Sequence, residues 1–221
     1  MLNNYKLMNI KLFKIALGIV LTATTISASA QKTYTEGMIT ISGSMNGQKG
    51  ESKYYFRADS SAVVFNQGPA TLKMLQDVKY TSFAFLVDVP AFSVKKAGIA
   101  SPSEVEDIMN ALPKFTFTTT TETKQISGFN CKKVVATDSK TNKTYDIWIT
   151  NDVIVPSTAI PPYYAGIGGF PVQFTSFSMG QAIDATVVSI SDQKIPAGTF
   201  GISPDYDRIT LEELRALNPR H

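Results

Sequence analysis

Cysteine, histidine and tryptophan each occur once in the 221 residues, at Cys131, His221 and Trp148. A single cysteine closes no intrachain disulfide, so the fold has to be held together by packing. One cysteine and one histidine also fall short of a zinc site, which would need several carboxylates besides. Asp205-Tyr206-Asp207 offers two acids, but that pattern is common in turns, and neither a metal nor a cofactor is expected. No Gly-x-Ser-x-Gly elbow occurs. Ser93 to Lys96 fits Ser-x-x-Lys only in form, because "FSVKKAGI" reads as a strand and the partner motifs are missing. "YYAGIGGFP" is glycine-rich without the lysine and hydroxyl residue of a phosphate loop. These absences argue for a protein that is not an enzyme, with no catalytic residues to assign.

Long apolar runs and surplus charge are lacking too. "IALGIVLTATTI" is too short to span a bilayer and follows a basic start at Lys6, Lys11 and Lys14; Ala28-Ser29-Ala30 then supplies the small residues that signal peptidase accepts. Residues 1–30 therefore read as an export signal cleaved after Ala30, leaving a soluble periplasmic or secreted chain that starts at Gln31. No cysteine stands at the cleavage point to carry a lipid anchor. Taking those three lysines from the 21 basic residues leaves 18, against 18 acidic ones. A neutral chain whose basic runs are no longer than pairs has no electrostatic footprint for nucleic acid.

What is present is strand pattern. Residues 31–221 show no linker or repeat and form a length suited to one domain with a substantial core. "EGMITISGSMNGQKGESKYYFRAD" predicts a hairpin turning at Asn46-Gly47, "NCKKVVATD" and "KTYDIWITND" a second, and "FPVQFTSF" with "AIDATVVSISD" a third. "TFTTTTET" is the one low-complexity tract. Two helices announce themselves by capping boxes. Ser101 with Glu104 starts one that Pro113 stops, and Thr210 with Glu213 starts another ahead of Pro219. "PATLKMLQDV", residues 69–78, is a weaker helix candidate. Few helices beside many strands are best satisfied by an antiparallel sheet curled around a helix.

Cys131, in "ISGFNCKKVV", tests the reading that excludes an enzyme. A catalytic thiolate needs a base, and the sole histidine is at the chain end. Lys132 follows Cys131 on a strand and so points to the opposite face, which leaves Cys131 as a packed residue near the sheet end.

The segments "ISGFNCKKVV", "YDIWITNDV", "GFPVQF" and "IPAGTFGISPDYDRITLEEL" resemble the C-terminal half of the GLPGLI-like group, exported bacterial proteins of unknown function, over residues 126–214. That group is related in fold to the periplasmic outer-membrane lipoprotein carriers. The resemblance implies a mainly β (α+β) domain over 31–221, a twisted antiparallel half-barrel closed by two or three short helices, with an apolar concave face. It also implies a carrier-like role, binding an apolar ligand or the acyl chain of a lipid or lipoprotein.

Two aromatic segments fit that expectation. "IPPYYAGIGGFPVQF" carries Tyr163, Tyr164, Ile167 and Phe170 where proline and glycine forbid a regular element, and "YTSFAFLVDVPAF" adds Phe83, Phe85 and Phe92. Either the first segment plugs one end of the sheet and completes the core, or it forms a lid over a ligand cavity. These seven residues are the predicted ligand-binding set. The alternative is an envelope module with a packed interior that docks a protein partner.

Overall fold

The computed structural model describes residues 31–45, 48–178 and 180–217. The expected export signal (residues 1–30), the expected turn at Asn46-Gly47 and His221 lie outside the described residues. Along the chain run β1 (Lys32–Thr33), β2 (Gly37–Met45), β3 (Gln48–Arg57), β4 (Ser60–Gln67), β5 (Ala70–Asp77), β6 (Phe83–Val89), β7 (Val94–Ile99), helix α1 (Pro102–Ala111), β8 (Phe115–Ile126), β9 (Phe129–Asp138), β10 (Thr144–Thr150), β11 (Val153–Ile154), β12 (Phe170–Ser178), β13 (Gln181–Ser191), β14 (Asp207–Thr210) and helix α2 (Leu211–Ala216). Three single-turn 3-10 segments, Pro90–Phe92, Ser157–Ala159 and Pro162–Tyr164, sit in the connections.

Twelve of these strands make one sheet in the order β14-β7-β6-β5-β4-β3-β2-β13-β12-β10-β9-β8. Every pairing in it is antiparallel except β14 with β7. The edge strands β14 and β8 do not pair, so the sheet stays open and is not a barrel. β1 and β11 form a small parallel pair apart from it.

Local chemistry explains the elements. The three predicted hairpins form as β2–β3, β9–β10 and β12–β13. A fourth, β8–β9, turns on Ser127 and Gly128, both with positive φ (50° and 84°), the geometry of a tight primed turn. The threonine tract becomes part of β8, where β-branched residues suit a pleated surface. Ser101 and Thr210 each accept the backbone N–H three residues on, while Glu104 and Glu213 reach back to the cap N–H groups. Residues 69–78 correct the expectation of a helix: they form β5, hairpinned to β4 through Gly68 in the left-handed region (φ 58°). Its apolar residues lie on both faces of the sheet, Leu75 on the covered outer face and Leu72 and Met74 on the inner one.

The larger core lies on what we call the inner face. There Ile39, Phe56, Val134, Ile147, Val172 and Val187 are buried against residues 153–170. A smaller core occupies the outer face of β4 to β7, where Ala62, Leu75, Ala84, Leu86 and Ala97 lie beneath Phe200, Ile202 and Tyr206. Lys73 pins that crossing segment by donating to the Gly198 and Gly201 carbonyls, at 3.1 and 3.0 Å.

Candidate apolar binding face

Register decides which side chains share the inner face beyond the main core. Tyr54 pairs with Val63, Val63 with Met74, Met74 with Phe85, and Phe85 with Gly98. The next inner row, two residues along, runs Ser52, Phe65, Leu72, Val87, Lys96. Strict alternation within each strand puts both rows on one face. Val63, Phe65, Met74, Phe85 and Val87 are only half-buried, and Leu72 alone of the six is buried. At a strand spacing of about 4.8 Å these six residues cover three strands, roughly 10 Å across. A third row opposes Phe83 to the polar Gln76 and Ser61.

Two elements border this apolar strip. On the β3 side stands the 3-10 turn Ser157–Ala159, held by Tyr54 Oη donating to the Thr158 carbonyl and Thr158 Oγ1 donating to the Arg57 carbonyl, both at 2.6 Å. Burial raises the pKa of the Tyr54 hydroxyl, which keeps this donor protonated. On the β7 side stands α2, whose Leu211 and Leu214 lie directly over Gly98. Arg215 of α2 reaches Glu104 of α1 at 3.8 Å.

The seven predicted residues separate into three places. Phe83 and Phe85 stand on the inner face of β6. Phe92 lies at the tip of the β6–β7 turn and is 73 % exposed. Tyr163, Tyr164, Ile167 and Phe170 join the main core, Phe170 on β12 with five strands between it and β6, and Tyr164 with no exposed surface. Tyr164 stacks on Phe115, with centroids 5.6 Å apart and planes at 12°, and its hydroxyl donates to the Thr175 carbonyl at 2.7 Å. Burial raises the pKa of this hydroxyl as well. The space enclosed beside Phe170 and Phe174 is about 20 Å³, room for about one water at most. Sequence reasoning missed Val63, Phe65, Leu72, Met74 and Val87. The readable signal was the Gly68 turn, which sets Phe65 opposite Leu72.

The residues that carry chemistry are held away from the strip. Cys131 is 3 % exposed, and its thiol donates to the Phe129 carbonyl at 3.5 Å. Burial, reinforced by the Asp152 carboxylate, pushes the thiol up to about 11. Such a group stays protonated and unreactive at neutral pH. Asp205 and Asp207, the two acids of the turn-like triplet, pair with Lys95 at 2.6 Å and Lys96 at 3.4 Å. Among the described residues no three acidic, histidine or cysteine side chains cluster as metal ligands.

A family model described as a domain of unknown function, DUF4412, matches residues 35–159. The chain belongs to the DUF4412 family. The matched region holds β2 to β11, including all six strip residues, and stops at the 3-10 turn that borders the strip. No curated protein matches the chain. Among solved structures it is similar to PNGF-II in two crystal forms, with 14 % identity and a TM-score of 0.50 in one, and 15 % and 0.49 in the other. The matches cover 83 % of this chain, which spans about a third of the length of PNGF-II. An uncharacterized conserved protein from Thermus thermophilus is similar at 11 % identity and TM-score 0.48, over 80 % of this chain and 90 % of that one. Likeness at this level of identity concerns the fold alone. Among the described residues no helix is long and apolar enough to cross a membrane.

Proposed function

We propose that this DUF4412 protein is an exported, non-enzymatic module that binds an apolar ligand, the acyl chain of a lipid or lipoprotein, on the strip formed by β4, β5 and β6. The observation that carries the reading is the pair of inner rows Val63–Met74–Phe85 and Phe65–Leu72–Val87, apolar throughout, mostly half-buried, and bordered by the Ser157–Ala159 turn and α2. Apolar surface contiguous over three strands is what a ligand face needs and what a sealed core would bury. Each methylene placed there gains about 0.8 kcal/mol, so eight to ten carbons would offset a substantial part of the association cost. The GLPGLI-like resemblance in residues 126–214 and its carrier-like implication support the same reading, as do the basic start and Ala28-Ser29-Ala30 in residues 1–30 for export to the periplasm or beyond.

Titration of the purified chain with a fluorescent fatty acid tests this. Saturable uptake is expected, and Phe85→Asp should weaken it far more than it lowers the melting temperature. A second reading, an envelope module that docks a protein partner, is favoured by the solid packing around Tyr164 and Phe170. It becomes the better account if no acyl probe binds saturably.

A further inference from the structure

On the inner face of β4 to β7, every position that alternation assigns is apolar or uncharged except one, Lys96. It ends the row that runs Phe65, Leu72, Val87, Lys96. Two contacts fix the side on which it stands. A Cβ on Gly98, two residues along β7, would meet Leu214 of α2 on the inner side. Lys95, the chain neighbour of Lys96, points the other way and lies 5.8 Å over the ring of Tyr206, in the segment that covers the outer face. There Lys95 is held by Asp205 at 2.6 Å and Asp88 at 3.8 Å.

Lys96 is loosely held by comparison. Its ion pair is with Asp207 of β14, Nζ to Oδ2 at 3.4 Å, and the Asp207 side chain is 76 % exposed. An exposed pair of that length is worth little and is readily exchanged for another anion. The charges of the adjoining α2 have partners elsewhere, Arg215 with Glu104 at 3.8 Å and Glu213 with the Thr210 N–H at 2.8 Å. The Lys96 side chain keeps 30 % of its surface exposed, so its ammonium can be reached. Val87 stands opposite it in register at about 5 Å, and Leu72 and Phe65 follow at steps of about 4.8 Å. An acyl chain laid across Phe65, Leu72 and Val87 therefore ends at a cation on one side only, because the far end of the row is Ser52. Apolar length with a single positive end complements an amphiphile whose head is anionic.

We propose that the strip takes an amphiphile with an anionic head, a carboxylate or a phosphate, and that Lys96 holds that head. The inference rests on the acyl-binding reading and adds to it the charge of the ligand and the direction in which its chain lies. Calorimetric titration of the purified chain at pH 7.5 with decanoate, decyl phosphate and decan-1-ol tests it, since the three share a ten-carbon chain and differ in the head. At least one anion should bind about tenfold more tightly than decan-1-ol, the scale of one charge-assisted hydrogen bond. Which anion does so tells a fatty-acid head from a phosphate one. Lys96→Gln should abolish the preference. Asp207→Asn, which frees the ammonium from its competitor, should enlarge it about threefold. A Lys96–Asp207 pair with a merely structural role would give no such gain. A preference that survives in a folded Lys96→Gln protein, or decan-1-ol bound as tightly as both anions, would overturn the role of Lys96 and leave the strip standing as an acyl site. Failure of all three ligands to bind saturably would overturn both.

Discussion

Replacing Gly98 by alanine probes how α2 is held against the sheet and hence how the strip is bordered. A Cβ at position 98 would lie 2.7 Å from Leu214 Cδ2, 2.9 Å from Leu214 Cβ and 3.3 Å from Leu211 Cα. The leucine tip can rotate away, but its Cβ and the Leu211 backbone move only if α2 moves. Overpacking of this kind costs about 1–3 kcal/mol. The loss has a ceiling, because a six-residue helix has little stability of its own and can detach, giving up the burial of Leu211 and Leu214, about 3–6 kcal/mol for two leucines. We expect Gly98→Ala to cost about 2 kcal/mol in urea unfolding, with hydrogen exchange of the α2 amides accelerating more than that of β3 or β4. In a Leu214→Gly background, which removes both the Leu214 tip and its Cβ, most of the clash is relieved, so the same substitution should cost markedly less. A neutral Gly98→Ala, or losses that simply add in the double variant, would refute this account of the α2 contact.

Cys131→Ala should lower stability by about 1–2 kcal/mol through lost buried volume and leave acyl binding intact; urea melts and the fatty-acid titration check it. The native thiol should resist an aromatic disulfide reagent at pH 7.5 until the chain is unfolded, and rapid labelling of the folded protein would mean that the thiol is neither buried nor raised. Asp77 supplies a pH test. Burial opposes its charge, but hydrogen bonds from the Ser82 and Thr81 amides and the Thr81 hydroxyl, each at 2.8 Å, outweigh that and lower it to about 2. A carboxyl depressed in the folded state contributes stability above its ordinary value of about 4 and loses it as pH falls toward 2. The stability advantage of the native protein over Asp77→Asn should therefore shrink across that window in urea melts, and a constant difference would contradict the assignment.

The parts of this fold legible in the sequence were those with short-range causes. Ser101 with Glu104, and Thr210 with Glu213, mark helix starts because the cap and its partner lie three residues apart, and both boxes form. The hairpins β2–β3, β9–β10 and β12–β13 followed from alternation. β5 was misread because Leu72, Leu75 and Val78 also fit a helical spacing. Leu72 faces the inner side while Leu75 lies beneath the crossing segment of residues 193–206, so the strand does not show the one-sided alternation of a half-solvated sheet. That crossing segment, with Phe200, Ile202 and Tyr206 in irregular backbone, had no periodic signal. The aromatic set was half legible for a related reason. Composition identified Phe83 and Phe85, but their neighbours Met74 and Val63 come from other strands and are set by register alone. Tyr163, Tyr164, Ile167 and Phe170 belong together, as their proximity in sequence suggests, yet no local pattern shows that they pack against Phe115, Phe174 and Phe177.

The central claim, an acyl-binding strip on β4 to β6, is tested most directly by photo-cross-linking. A palmitate carrying a diazirine on its chain, irradiated with the purified protein and followed by peptide mapping, should label saturably the peptides that contain Val63 and Phe65, Leu72 and Met74, and Phe85 and Val87. Excess unlabelled palmitate should suppress the labelling, and Phe85→Asp should diminish it. Labelling that cannot be competed, or that concentrates in residues 161–171 and spares β4, β5 and β6, would contradict the account.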